Sequence, residues 1–263
     1  MEYKTLELKT ENSISIIKIT RSDKLNAVNE DLIWDLQNAL AEIQDISNTK
    51  VVILTGEGKG FCAGADLSER NASWESTKDA LLRGYKPIFE KIVNLRPPVI
   101  ASIRGPAAGI GAALALSCDL RVMTKKSYIM SVFSNIALVP DGGLSWLLPR
   151  FMGYAKAYEY AIEAKKIEAE ECLKWGIANK LVDDENLEKA TYDWALNLAK
   201  RSSQALQNTK ELMRNSLSES YFDTFNNEAE IQNKLVRSSK ILKLLLLFLK
   251  KESQILKINS IVC

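Results

Sequence analysis

The sequence predicts an α/β protein, on three observations. Short runs rich in β-branched residues alternate with apolar residues at helical spacing; two loops of small residues each follow a strand and lead into a helix; and strand signals stop near Leu187, after which only helical spacing continues. In chain order, Ile14–Ile19 reads as the first strand. Asn29 is a helix cap, followed by Leu32, Ile33, Leu36, Leu40 and Ile43 on one face. Val51–Leu54, Val99–Ile103 and Leu120–Met123 are further strands. Ala112–Cys118 reads as a buried helix of small residues, and Leu144–Leu148 as a helical stretch opened by the turn Val139-Pro140-Asp141-Gly142-Gly143. Ala195, Leu196, Leu198, Ala199, Leu206, Leu212 and Met213 continue the helical pattern in the C-terminal region.

Composition limits the classes of function. A chain of 263 residues, 46% hydrophobic and 26% charged, can bury a substantial core without staples. Its 35 basic and 33 acidic residues nearly cancel, with no basic face interleaved with aromatics, so a nucleic-acid partner has little electrostatic support. Cys62, Cys118, Cys172 and Cys263 lie far apart with no CxxC pair, the pattern of reduced cytosolic thiols. No secretion signal opens the sequence and no run of apolar residues is long enough to span a bilayer, so a soluble, cytoplasmic protein is expected. Histidine is absent altogether. That removes imidazole bases, Ser-His-Asp and Cys-His catalysis, and His-bearing zinc sites, so no metal is expected.

The two loops are Phe61-Cys62-Ala63-Gly64-Ala65-Asp66-Leu67 and Gly105-Pro106-Ala107-Ala108-Gly109-Ile110-Gly111-Ala112-Ala113-Leu114. Each can aim main-chain N–H groups at a ligand, and facing each other they would form an oxyanion hole. Either loop alone reads first as a tight strand-to-helix turn with close packing. A dinucleotide fingerprint fits poorly, because Leu114 stands where its third glycine would be, and no Gly-Lys-Ser/Thr marks a nucleotide-phosphate loop.

Further motifs accompany them in order: Arg21-Ser22-Asp23-Lys24-Leu25-Asn26-Ala27, Leu54-Thr55-Gly56, Pro98-Val99-Ile100-Ala101 and Cys118-Asp119-Leu120-Arg121, then the Val139–Gly143 turn. This succession, over roughly residues 3 to 236, resembles the enoyl-CoA hydratase/isomerase, or crotonase, family. The resemblance implies a spiral of ββα repeats across residues 1–195 carrying an acyl-CoA site, and a helical C-terminal region, 196–263, that assembles a homotrimer or a dimer of trimers. It implies an acyl-CoA thioester as substrate, with coenzyme A part of that substrate and no separate cofactor. By correspondence, the N–H groups of Ala65 and Ile110 would hold the thioester oxygen beside Gly109, and Lys24, Ala63, Asp66 and Leu67 would line the CoA portion.

The chain departs from the family at two positions. Family hydratases orient water with two glutamates, and the matching positions here carry Ala113 and Phe133, the latter expected in the acyl pocket. Neither side chain can position water, which points away from hydration. Asp141 remains and matches the acid/base aspartate of several family isomerases. Taken locally, an aspartate before glycine reads as a helix cap; in a site emptied of other carboxylates, with Val132, Ile136 and Leu138 nearby, it reads as the proton shuttle of a 3-enoyl to 2-enoyl-CoA isomerase. The motifs most resemble the isomerases of phenylacetyl-CoA breakdown. Enoyl-CoA hydratase is the alternative, and a non-catalytic acyl-CoA binder or scaffold a second. Asp66 reads as structural in part, Cys62 as a small filler, and Trp146 as a pocket or core aromatic. After about Ser239 a basic, leucine-rich ending replaces the usual family segment; burial against another helix or subunit is the first reading, a place on a membrane surface the second, and a changed reading frame a further hypothesis.

Overall fold

The structure, a computed structural model, describes residues 2–46, 48–68 and 73–237. These residues fall into two compact units divided between Ser203 and Gln204. The expected division near residue 195 falls inside a helix that completes the first unit.

That unit begins with a hairpin of β1 (Leu6–Glu11) and β2 (Ile14–Ile19), turned at Asn12-Ser13 with both φ positive. α1 (Glu30–Asp45) follows, and Asn29 Oδ1 accepts the Leu32 N–H at 3.0 Å as the cap the sequence predicts. After β3 (Val51–Gly56), a single turn α2 (Thr77–Asp79), a π-helical stretch (Ala80–Tyr85) and α3 (Lys86–Asn94) lead to β4 (Val99–Ile103). Next come β5 (Pro106–Ala108), α4 (Ile110–Ser117), β6 (Leu120–Thr124), β7 (Tyr128–Met130) and a 3-10 turn (Phe133–Ile136). The unit closes with α5 (Leu144–Met152), α6 (Tyr154–Ile162), β8 (Lys166–Glu168), α7 (Ala169–Lys174), β9 (Lys180–Val182) and α8 (Leu187–Ala199).

The larger sheet has the order β1-β2-β3-β4-β6-β9, parallel throughout except for the β1–β2 hairpin. A smaller sheet has the order β5-β7-β8. Successive strands step from one sheet to the other, β4 to β5 and β6 to β7, before a helix returns the chain. This is the ββα spiral. β4 is buried along its whole length because both faces of the large sheet are covered. Leu32, Ile33 and Leu36 of α1, Ile88 and Ile92 of α3 and the whole of α4 fill one side, while Leu187, Ala195 and Ala199 of α8 cover Ile14, Ile53, Ile100 and Val122 on the other.

Short β5, β7, β8 and β9 carry too few residues for a periodic signal, and the alternating polar residues of β1 concealed it. The second unit holds α9 (Ser203–Asn215) and α10 (Tyr221–Val236), with Ser220 capping the latter. The basic, leucine-rich ending lies outside the described residues. Among the described residues no helix is long and apolar enough to cross a membrane.

Candidate active site

The two glycine loops lie against each other. Cys62 N–H donates to Pro106 O at 3.1 Å and Ala108 N–H to Cys62 O at 3.0 Å, forming a bridge between Cys62 and Ala107. The contact depends on small residues. A Cβ on Gly64 (φ 114°) would lie 3.2 Å from Ala108 O, and one on Gly111 would lie 2.3 Å from Cys62 O.

Backbone geometry leaves two donors unused here. Val28 pairs with the first loop, its N–H donating to Gly64 O at 2.7 Å and its carbonyl accepting from Asp66 N–H at 2.9 Å. Since N–H groups alternate sides along extended chain, the intervening Ala65 N–H faces away from Val28 and has no acceptor among the described residues. Gly109, with φ 53° and ψ −125°, turns the second loop into α4. Ile110 is therefore the first residue of that helix, two earlier than the sequence suggests. Its N–H lacks an intrahelical partner and carries the positive end of the helix dipole.

A cavity of about 600 Å³ opens over these donors. Ala63, Ala65, Leu67, Gly109, Ile110, Phe133 and Asp141 all line it, so seven of the nine expected site residues converge. Lys24 is exposed and outside the lining. Asp66 is also outside it: its carboxylate binds Arg21 at 2.9 Å and the Ser68 hydroxyl at 2.6 Å, and these bonds hold its pKa below the usual range. Arg21 donates to Ala27 O as well, so Asp66 fixes the loop instead of facing the cavity. Trp146 also departs from expectation, standing 43% exposed under the Arg150 guanidinium. Cys62 is fully buried, and burial pushes its thiol up to about 12, which suits a filler and not a nucleophile.

Asp141 caps nothing. Gly143 is the cap residue of α5 with no side-chain bond to it, and Asp141 contributes only its carbonyl, to Leu144 N–H at 3.1 Å. Its Oδ1 is buried without a partner among the described residues. Desolvation raises the carboxyl from 3.8 to about 6. Gly142 sets this position: a Cβ there would be 2.6 Å from Ala113 Cβ and 2.8 Å from Ile110 Cδ1, so the turn sits directly on the first turn of α4.

The wall opposite comes from a segment that sequence reasoning missed. Trp74 and Ser76, just before α2, with Thr77 of α2 and Ala80, Leu81 and Tyr85 of the π-helical stretch, reach the cavity. Trp74 stacks on Trp34 at 5.6 Å and packs on Gly84, where a Cβ would approach its ring to 3.0 Å. The glycine beside a tyrosine in an otherwise helical stretch was the available signal; π-helical turns often accompany functional sites.

Fold, facing donors and isolated carboxylate together define an acyl-CoA enzyme of the crotonase type. The chain belongs to the enoyl-CoA hydratase/isomerase family, whose model matches residues 9–256, beyond the point near Ser239 where the motif-level resemblance stops. It is 33% identical to 1,2-epoxyphenylacetyl-CoA isomerase of Escherichia coli over 81% of this chain and 83% of that protein. It is 32% identical to a probable enoyl-CoA hydratase of Rhodobacter capsulatus over 95% and 97% respectively. Enoyl-CoA hydratase from Bacillus anthracis superposes with a TM-score of 0.89 at 29% identity, covering 94% of this chain and 97% of that one.

Proposed function

We propose that this enzyme moves a carbon–carbon double bond from the 3,4 to the 2,3 position of an acyl-CoA, with Asp141 as the only proton carrier and Ala65 and Ile110 as oxyanion donors. The single observation that carries this reading is the desolvated, unpartnered Asp141 carboxylate in the same cavity as the two free N–H groups. Asp141 takes a proton from C2. The C–H electrons spread through C1, C3 and C4 and place negative charge on the thioester oxygen, where each N–H donor contributes about 3 kcal/mol at the barrier. Asp141 then returns the proton to C4, leaving C2=C3. No water enters the balance.

Asp141 is the one carboxylate among the described residues of the lining, which supports isomerisation over hydration, and the lining residues Ala63 and Leu67 suit the CoA arm. The test is a panel of 3-enoyl- and 2-enoyl-CoA substrates given to wild type and Asp141→Asn. Rapid conversion of 2-enoyl-CoA to the 3-hydroxy product, unaffected by Asp141→Asn, would defeat the reading. Self-association belongs to the same proposal: Val139, Tyr154, Tyr158 and Ile162 are exposed apolar residues around one groove, and light scattering should report a trimer or larger.

Restoring a hydratase-like glutamate should fail. Ala113 is fully buried against Gly142, so Ala113→Glu combines overpacking with a buried charge and should cost about 3 kcal/mol or more. Thermal denaturation and a hydration assay check this: a lower melting temperature without new hydratase activity is expected.

Ionisation of Asp141 sets the pH response. As a base it must be charged, so kcat/KM should rise tenfold per pH unit below about 6 and level off above it. Its folded pKa is raised, so the folded state holds this proton more tightly than the unfolded one, and its contribution to stability is lost as pH rises from about 4 through 6. Asp141→Asn should therefore melt higher than wild type at pH 8, with the difference closing below pH 4.

A further inference from the structure

Tyr85 and Asp141 line the same cavity. Tyr85 is only 8% exposed, yet its hydroxyl has no hydrogen-bond partner among the described residues. Around it the wall is hydrocarbon: Leu81, Ile110, Val132, Phe133 and Leu138. A phenylalanine would fill that wall equally well, and a ligand that fills the cavity strips water from the tyrosine hydroxyl, so the oxygen calls for a partner that arrives with the ligand.

We propose that Tyr85 sets specificity for an oxygen-bearing acyl group, its phenol donating to a hydroxyl or related oxygen on the γ-carbon, with Asp141 on the other side of that oxygen. Burial, and after it the Asp141 carboxylate, push the phenol up to about 12, so it stays a donor throughout the working range. Both residues line the same cavity, and no hydrogen bond joins them. A hydroxyl between them can accept from Tyr85 and donate to the unpartnered Asp141 Oδ1, satisfying both groups at once. A methyl group there leaves both unsatisfied. Sites built around a buried hydrogen-bonding group reject the analogue lacking its partner more strongly than apolar pockets reject an added hydroxyl. The inference rests on the isomerase reading only in placing the γ-carbon beside Asp141.

The test uses 4-hydroxybutanoyl-CoA and pentanoyl-CoA, which differ in a hydroxyl for a methyl and lack a double bond to move. Binding to wild type and Tyr85→Phe is measured by calorimetry at pH 7. Tyr85→Phe should weaken 4-hydroxybutanoyl-CoA by about tenfold and leave pentanoyl-CoA within about twofold. Equal weakening of both ligands, or no change in either, would overturn the proposal and leave Tyr85 as packing. Turnover of 3-hexenoyl-CoA by the same wild-type preparation separates the two readings: isomerisation without the Tyr85 effect sinks only the specificity, and the Tyr85 effect without isomerisation sinks only the proposed reaction.

Discussion

Asp141→Asn should lower isomerisation of a 3-enoyl-CoA by 10³-fold or more while leaving acyl-CoA binding nearly unchanged. The amide is close in size, and Gly142 and Gly143 still shape the turn, so the cavity keeps its form. What disappears is the one carboxylate among the described lining residues, the group that can accept a proton from carbon and return it. Acid–base catalysis by a positioned side chain contributes about 10²–10⁴-fold, and here one group serves both transfers, so the upper part of that range applies. A neutral amide also removes the cost of holding a desolvated charge, so the inactive variant should be the more heat-resistant one at pH 8. Loss of activity with gained stability separates a catalytic carboxylate from a structural one: a structural aspartate would lose both.

Gly111→Ala should have the second largest effect, for a different reason. Its new methyl would meet Cys62 O at 2.3 Å and Cys62 Cβ and Sγ at 2.8 Å. The carbonyl cannot yield, because it accepts the Ala108 N–H that joins the loops. Relief must come from separation of the loops, which costs about 1–3 kcal/mol of stability and misaims the Ile110 N–H. Losing one oxyanion donor costs roughly 10²–10³ in kcat. Denaturant unfolding and steady-state rates should fall together in this variant, in contrast to Asp141→Asn.

Much of this was legible in the residues. Asn29 and the face from Leu32 to Ile43 fixed α1, and the β-branched runs located the central parallel strands, because buried strands need little more than such runs. Ala65 and Ile110 could be placed through motif order, since main-chain donors require small neighbours more than particular side chains. Asp141 was ambiguous in sequence: an aspartate before glycine looks the same whether it caps a helix or faces a cavity, and only its unpartnered Oδ1 separates the two. Tyr85 was not legible, because the π-helical stretch shifts its register away from ordinary helical spacing, and Trp74 stands before α2, outside any periodic run. Lys24 and Asp66 matched the family motif, yet the ion pair with Arg21 turns the Asp66 carboxylate from the cavity.

Deuterium transfer within the substrate tests the single-carboxylate account most directly. A 3-hexenoyl-CoA carrying two deuteria at C2 is converted in ordinary water, and the first 2-enoyl product is analysed for deuterium at C4. A measurable share of label at C4, abolished together with turnover in Asp141→Asn, is the predicted result. Product with no deuterium at C4, formed at an undiminished rate by Asp141→Asn, would contradict it.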